Sequence, residues 1–172
     1  EERRAALSPG DPDAAARVEF WEGIGACCQA VEDLADRYAA EADRMAAAAP
    51  EAARRSELEA IAATCRRVPA HPARTFREAV QSIWFVDFVL HAVCGARDYA
   101  LGRLDQHLLP YYRRDLADGR LDREDALELL QCLFVKLNAF IGLHDHYTSP
   151  VKRSPCVDSV QYLVLGGQLL VG

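Results

Sequence analysis

The stretch Trp21-Glu22-Gly23-Ile24-Gly25-Ala26-Cys27-Cys28-Gln29-Ala30-Val31-Glu32-Asp33-Leu34-Ala35-Asp36-Arg37-Tyr38-Ala39-Ala40-Glu41-Ala42-Asp43-Arg44-Met45 decides the fold class. Within it, Trp21, Ile24, Cys28, Val31, Ala35, Tyr38, Ala42 and Met45 recur at alternating spacings of three and four. That period places them on one face of a long helix and cannot serve a strand, whose faces alternate every two residues. The helix is expected over residues 12–48, with Pro12 suited to its first turn and Pro50 ending it.

Outward from this helix the pattern stays helical. Leu58, Ile61, Ala62 and Cys65 mark a second helix over residues 51–66. The prolines of Val68-Pro69-Ala70-His71-Pro72-Ala73 exclude helix, because each disfavours the α conformation in the residue before it. Thr75-Phe76-Arg77-Glu78 reads as a capping box, with Thr75 accepting from the Glu78 N–H and the Glu78 carboxylate returning to Thr75. The helix it opens, to about Cys94, is apolar on most sides and implies burial all round. A break follows from Gly95 to Gly102, then a short helix from Arg103 to Leu109, and after Pro110 a further helix to Asp118 that Gly119 ends. Asp122 caps a last helix reaching Ile141, with Ala126, Leu129, Leu130, Leu133, Phe134 and Leu137 on one side. Residues 142–158 read as a loop. Val160-Gln161-Tyr162-Leu163-Val164-Leu165, punctuated by Gly166-Gly167, reads as strand. The expectation is a mainly α chain of about six helices over residues 12–141, with one or two strands only after about Ser159.

Composition narrows the function classes. The chain has 172 residues, 51% hydrophobic and 27% charged, enough to bury a core and too apolar for disorder. Twenty basic residues against 26 acidic ones give a net charge of −6. That balance argues against a nucleic-acid surface, which needs a clustered basic excess. No apolar run reaches the roughly 20 residues that span a bilayer, so no membrane partner is expected. The single methionine is Met45, so the chain is expected to be a mature or excised piece. The six cysteines, Cys27, Cys28, Cys65, Cys94, Cys132 and Cys156, show no CxxC spacing. They read as buried, reduced thiols of a cytoplasmic protein.

Chemistry-bearing residues are few. His144-Asp145-His146 with Cys156, or His91 with Cys94, lack four ligands at a zinc spacing, so no metal is expected. Asp87 and His91, four apart in an apolar helix, share a face. They are either a satisfied core pair or groups aimed into a cavity. Arg97, Asp98, Tyr99, Arg103, Asp105 and Gln106 sit in or beside the Gly95–Gly102 break. There they either face solvent or line an internal pocket.

A family resemblance adds to this reading. Residues Glu57 to Phe85, with the Val68-Pro69-Ala70-His71-Pro72 turn and Thr75-Phe76-Arg77-Glu78, resemble the pyruvate formate-lyase domain of the glycyl radical enzymes. So do Gly102-Arg103-Leu104-Asp105-Gln106, Pro110-Tyr111-Tyr112, Asp115, Gly119, Ala126-Leu127-Glu128-Leu129-Leu130, Lys136 and the Gln161–Gly167 strand. The resemblance covers about residues 18–172 and is closer to the diol-dehydratase-like branch. It implies that residues 1–172 form part of a ten-stranded α/β barrel wrapped in helices, with residues 159–172 as the first barrel strand region.

The resemblance further implies a lyase or dehydratase that breaks C–C, C–O or C–N bonds by radical chemistry. A partner enzyme using S-adenosylmethionine and an iron–sulfur cluster would install a glycyl radical, and the full-length protein would be a homodimer. The thiyl cysteine and the radical glycine would both lie downstream of Gly172, so no catalytic residue is expected in this chain. Glycerol-type members carry Gly-His-Ser just before the Gly-Arg element, where this chain has Ala96-Arg97-Asp98. Arg97 and Asp98 are therefore the substrate-binding candidates, for a small and charged substrate. Asp87, His91, Arg103 and Asp105 are supporting candidates. The competing readings are a non-catalytic helical interaction domain derived from that family, and a free-standing metal- or cofactor-binding helical protein.

Overall fold

A computed structural model describes residues 13–90, 100–139, 162–163 and 166. Five helices and two short strands occupy the described residues. They are α1 (Ala14–Ala48), α2 (Ala52–Arg67), α3 (Phe76–Phe88), β1 (Ala100–Gly102), α4 (Leu104–Ala117), α5 (Arg123–Ala139) and β2 (Tyr162–Leu163). The expected 142–158 loop lies outside the described residues.

Helices α1 and α2 form an antiparallel pair. Ala46 and Ala49 pack on Leu58, while Ala35 and Ala39 pack on Cys65 further along, so the two sequences run in opposite directions. The buried residues of α1 are Ala35, Ala39, Ala42 and Ala46. The helical period is the expected one, but the buried stripe is rotated from the expected face. Tyr38 and Met45 lie at its margin at 39% and 41% exposure. The cause is steric: a stripe of methyl groups lets α2 approach closely, and the larger side chains are displaced to the edge. Tyr38 uses that edge to meet Trp84 and Phe85 of α3, with ring centroids 5.3 and 5.7 Å away. Trp21, Ile24 and Cys28 of the same expected stripe precede the part of α1 that α2 covers, and Ile24 and Cys28 are exposed.

Helix α3 lies between two packing layers, as an apolar helix must. Phe85 joins the α1–α2 core, while Phe76, Ala79 and Val80 join Leu104, Leu108, Ala126, Leu133 and Leu137 from α4 and α5. The exceptions to burial all round are Arg77 in the first turn and Val86, at 43% exposure.

Two expectations are overturned. Pro110 does not divide the chain into two helices: α4 runs unbroken from Leu104 to Ala117 with Pro110 inside it. Proline within a helix costs about 3 kcal/mol. Burial of Leu104 and Leu108, with Tyr111 and Tyr112 packed on the same core, offsets that cost. Strand also occurs well before Ser159, because Ala100–Gly102 pairs in parallel with Tyr162–Leu163. Three residues carry no readable period, and parallel pairing comes from a partner some 60 residues away.

The helix ends follow local chemistry. Gly119, at φ +66°, closes α4 with its N–H on the Leu116 carbonyl, while the Arg120 N–H reaches the Asp115 carbonyl. Asp122 caps α5 as expected: its Oδ1 accepts from the Asp125 N–H at 2.8 Å, and the Asp125 carboxylate accepts from the Asp122 N–H at 3.1 Å.

Candidate functional site

The two parallel strands bring their carboxyl ends to the same edge, and there the chain turns into α4 through Gly102-Arg103-Leu104-Asp105-Gln106. Gly102 takes φ +67°, a left-handed conformation that favours glycine, which lets β1 enter the helix within one residue. Leu104 is 3% exposed and anchors the turn in the core. Arg103 and Asp105, on either side of it, both engage Gly166. The Asp105 Oδ2 accepts from the Gly166 N–H at 3.0 Å, and the Arg103 Nη2 donates to the Gly166 carbonyl at 3.4 Å. Gly166 is itself at φ +84°.

Electrostatics favour the charged form of Asp105. The Gln106 side-chain amide, 3.3 Å from Oδ2, and the Gly166 N–H hold its carboxyl below the usual aspartate range, and the Arg103 charge adds to this. Its position in the first turn of α4 adds the positive end of the helix dipole. Asp105 also lines an open apolar cleft of about 360 Å³ between α4 and α5, with Phe76, Leu108, Tyr112, Leu130 and Phe134.

A second polar cluster locks the start of α3 onto the end of α4. Asp115, 2% exposed, accepts from the Phe76 N–H at 2.6 Å and from Arg120 Nε and Nη2 at 3.1 and 3.0 Å. Thr75 Oγ1 accepts from the Glu78 N–H at 3.2 Å, as the capping box requires. The return arm differs from expectation. The Glu78 carboxylate accepts from the Arg74 N–H at 2.6 Å and from Arg74 Nη2 at 2.9 Å, not from Thr75. Arg74 adds a guanidinium to the backbone donor, so one carboxylate satisfies both. Burial pushes the Glu78 pKa upward, but the Arg74 side chain, the Arg74 N–H and the Arg67 charge outweigh it and leave the group below its usual range.

Of the residues singled out from sequence, Asp87 is fully buried near the end of α3. Arg103 and Asp105 are brought together on Gly166. Arg97, Asp98 and His91 lie outside the described residues, as do Tyr99 and the His144-Asp145-His146 group. Cys65 is buried as expected and its thiol is pushed up to about 11 by burial. Cys27, Cys28 and Cys132 are exposed, against the expectation of buried thiols, because they lie on helix faces that no neighbouring helix covers among the described residues. Cys94 and Cys156 lie outside the described residues. Among the described residues no group of three or more His, Cys, Asp or Glu could hold a metal ion, and no helix is long and apolar enough to cross a membrane. The roles of Gly166 as a captured peptide and of Asp115 as a cap across 39 residues of sequence were not read from sequence; a charge on the buried face of α4 was the available signal for Asp115.

The Pyruvate formate lyase-like family model matches residues 1–172. The chain is 42% identical over 129 residues to a trans-4-hydroxy-L-proline dehydratase of Clostridioides difficile, covering 74% of this chain and 16% of that enzyme. It is 40% identical over 151 residues to an isethionate sulfite-lyase of Nitratidesulfovibrio vulgaris, covering 87% of this chain and 18% of that enzyme. A solved structure concerned with 1,2-propanediol dehydration in Roseburia inulinivorans superposes with a TM-score of 0.83 at 37% identity, over 97% of this chain and 20% of that one. The chain thus spans less than a fifth of the length of these curated relatives. With the whole chain matched and the Gly102–Gln106 turn, the Thr75 cap and the Gly166 contact all in place, the chain belongs to the pyruvate formate lyase-like family of glycyl radical enzymes.

Proposed function

We propose that this chain is the helical layer and first strand region of a radical lyase or dehydratase that acts on a small substrate carrying a charged group. The match of all 172 residues to the family, with a dehydratase and a sulfite-lyase among the relatives, carries this reading. A glycyl radical, once installed, supplies hydrogen abstraction from substrate by way of a cysteine. Both of those residues belong to sequence beyond Gly172, in the rest of the ten-stranded barrel. What the present chain contributes is a scaffold and contacts. Arg97 and Asp98 bind the charged group, and Asp87, His91, Arg103 and Asp105 support the substrate-facing edge. The longer protein is a cytoplasmic homodimer activated by an enzyme carrying S-adenosylmethionine and an iron–sulfur cluster.

A charged substrate is favoured over a neutral diol for a stated reason. A guanidinium beside a carboxylate stands where glycerol-type members have His and Ser, and a guanidinium binds a carboxylate or sulfonate through two parallel hydrogen bonds. Isethionate and trans-4-hydroxy-L-proline, on which the two relatives act, both carry charge.

The test is anaerobic expression of the longer reading frame with its activating enzyme, followed by assay on isethionate, trans-4-hydroxy-L-proline and 1,2-propanediol. Turnover of a charged substrate is expected, with a loss of at least about tenfold in kcat/KM for Arg97→Ala, the equivalent of ~1.4 kcal/mol. The 172-residue chain alone is expected to be inactive on all three. Turnover of 1,2-propanediol alone with Arg97→Ala unaffected would overturn the charged-substrate reading. A stop codon directly after Gly172, or activity of the 172-residue chain by itself, would overturn the radical-enzyme reading.

A further inference from the structure

Gly166, three residues beyond β2, meets the start of α4, and the two side chains holding it act on opposite ends of one residue. Asp105 takes its N–H at 3.0 Å; Arg103 reaches its carbonyl at 3.4 Å. The Gly166 backbone, at φ +84°, lies where other residues pay strain, and among the described residues nothing lies within 4 Å of its ideal Cβ position. The two hydrogen bonds are what hold it against α4. The paired strands are parallel and only two to three residues long, too short to dictate where the chain goes next. Their carboxyl ends lie on the edge of a parallel sheet at which α/β proteins gather their ligand-binding groups.

We infer that Asp105, seconded by Arg103, is a positioning residue: it captures the Gly166 peptide from the first turn of α4 and so fixes that peptide against the start of the helix. This rests on the radical-enzyme reading only for its purpose, which is to give the substrate-facing edge a single backbone conformation. The ion is well placed for the task. Leu104 fixes the turn in the core, the helix N-terminus and Arg103 favour the carboxylate, and an N–H to a charged oxygen is about twice as strong as to a neutral one. Arg103 sits on the same turn, Arg123 lines the same apolar cleft as Asp105, and His107 Nε2 stands 3.7 Å from the ideal Cβ position of Gly102.

Selective ¹⁵N-glycine labelling of the 172-residue chain gives ten amide signals, and Gly166→Ala identifies one of them by its loss. The Gly166 amide proton is expected furthest downfield in the parent chain, intermediate in Asp105→Asn, which keeps a neutral acceptor, and furthest upfield in Asp105→Ala. Hydrogen exchange at Gly166 is expected to quicken about tenfold or more in Asp105→Ala and to be largely restored in Asp105→Asn. The signals of Gly23, Gly25 and Gly119 stay in place, which a general loss of stability would not allow. A Gly166 signal that is the same in all three chains, or ten signals that move together in Asp105→Asn, would overturn the inference. If Asp105→Ala fails to fold, the isolated upfield shift of Gly166 in Asp105→Asn decides alone. Loss of this signature would leave the radical-enzyme reading standing, and a stop codon after Gly172 would leave the capture of Gly166 standing.

Discussion

Asp115 accepts a hydrogen bond from the backbone N–H of Phe76 at 2.6 Å, so the end of α4 supplies the cap for the first residue of α3. Helix starts leave their first N–H groups without partners, and capping side chains usually come from the residue just before. Here the donor is buried, and the acceptor arrives from 39 residues downstream with Arg120 neutralising it. Arg114 also donates to the Arg74 carbonyl at the same junction. Asp115→Ala strands the Phe76 N–H and removes both bonds to Arg120, for an expected loss of about 2–4 kcal/mol in urea unfolding. Asp115→Asn keeps an acceptor and should cost less than half of that. Equal costs would mean that a neutral acceptor contributes nothing here and that the cap on the Phe76 N–H is not what stabilises the junction.

Glu78 links this junction to pH. Burial pushes its folded-state pKa upward, but Arg74 and Arg67 hold it below the usual glutamate range. A carboxyl whose pKa is lowered on folding contributes stability that is complete above its unfolded value and lost as pH falls through the folded one. Stability is therefore expected to decline as pH drops below about 4.5, and Glu78→Gln should flatten that part of the curve while lowering stability at pH 7 by about 1 kcal/mol. Denaturant midpoints measured from pH 7 to pH 3 check the sign; a Glu78→Gln curve parallel to the parent would refute it.

Cysteine reactivity separates buried from exposed thiols. The Cys65 thiol, pushed up to about 11 by burial, is on the order of 0.1% thiolate at pH 8. Cys27, Cys28 and Cys132 are exposed. Iodoacetamide at pH 8, read by peptide mass spectrometry, should label those three at least about 100-fold faster than Cys65 in the folded chain. In denaturant the difference should vanish. Comparable rates in the folded chain would mean that the α1–α2 core does not hold.

Two glycines should respond in opposite directions. Gly23 lies inside α1 with nothing among the described residues within 4 Å of a new Cβ, so Gly23→Ala is expected to stabilise by about 0.5–1 kcal/mol. Gly102 is at φ +67°, and its ideal Cβ would sit at an ordinary 3.7 Å from His107 Nε2. Gly102→Ala is therefore expected to destabilise by about 1–2 kcal/mol through backbone strain alone. Thermal unfolding of the two variants checks both signs, and a stable Gly102→Ala chain would mean that this turn has another conformation open to it.

What the sequence determined by itself was what lies within a few residues. The three-four spacing of α1, the proline-rich turn at Val68–Ala73, the Thr75 and Asp122 caps and the Gly119 stop are local events, set by backbone sterics and by side chains that reach only their neighbours. The family was also legible there, because the Gly102–Gln106 and Thr75–Glu78 elements are runs of residue types in order. Tertiary structure alone decided the rest. It rotated the buried face of α1 onto its alanines, because the partner helix approaches where side chains are smallest. Core packing held α4 together through Pro110, against the local preference of that residue. β1 exists because a strand some 60 residues away pairs with it. Asp115 on Phe76 and Asp105 on Gly166 are bonds between positions 39 and 61 residues apart, and no local spacing encodes which carboxylate will meet which amide once the helices have packed.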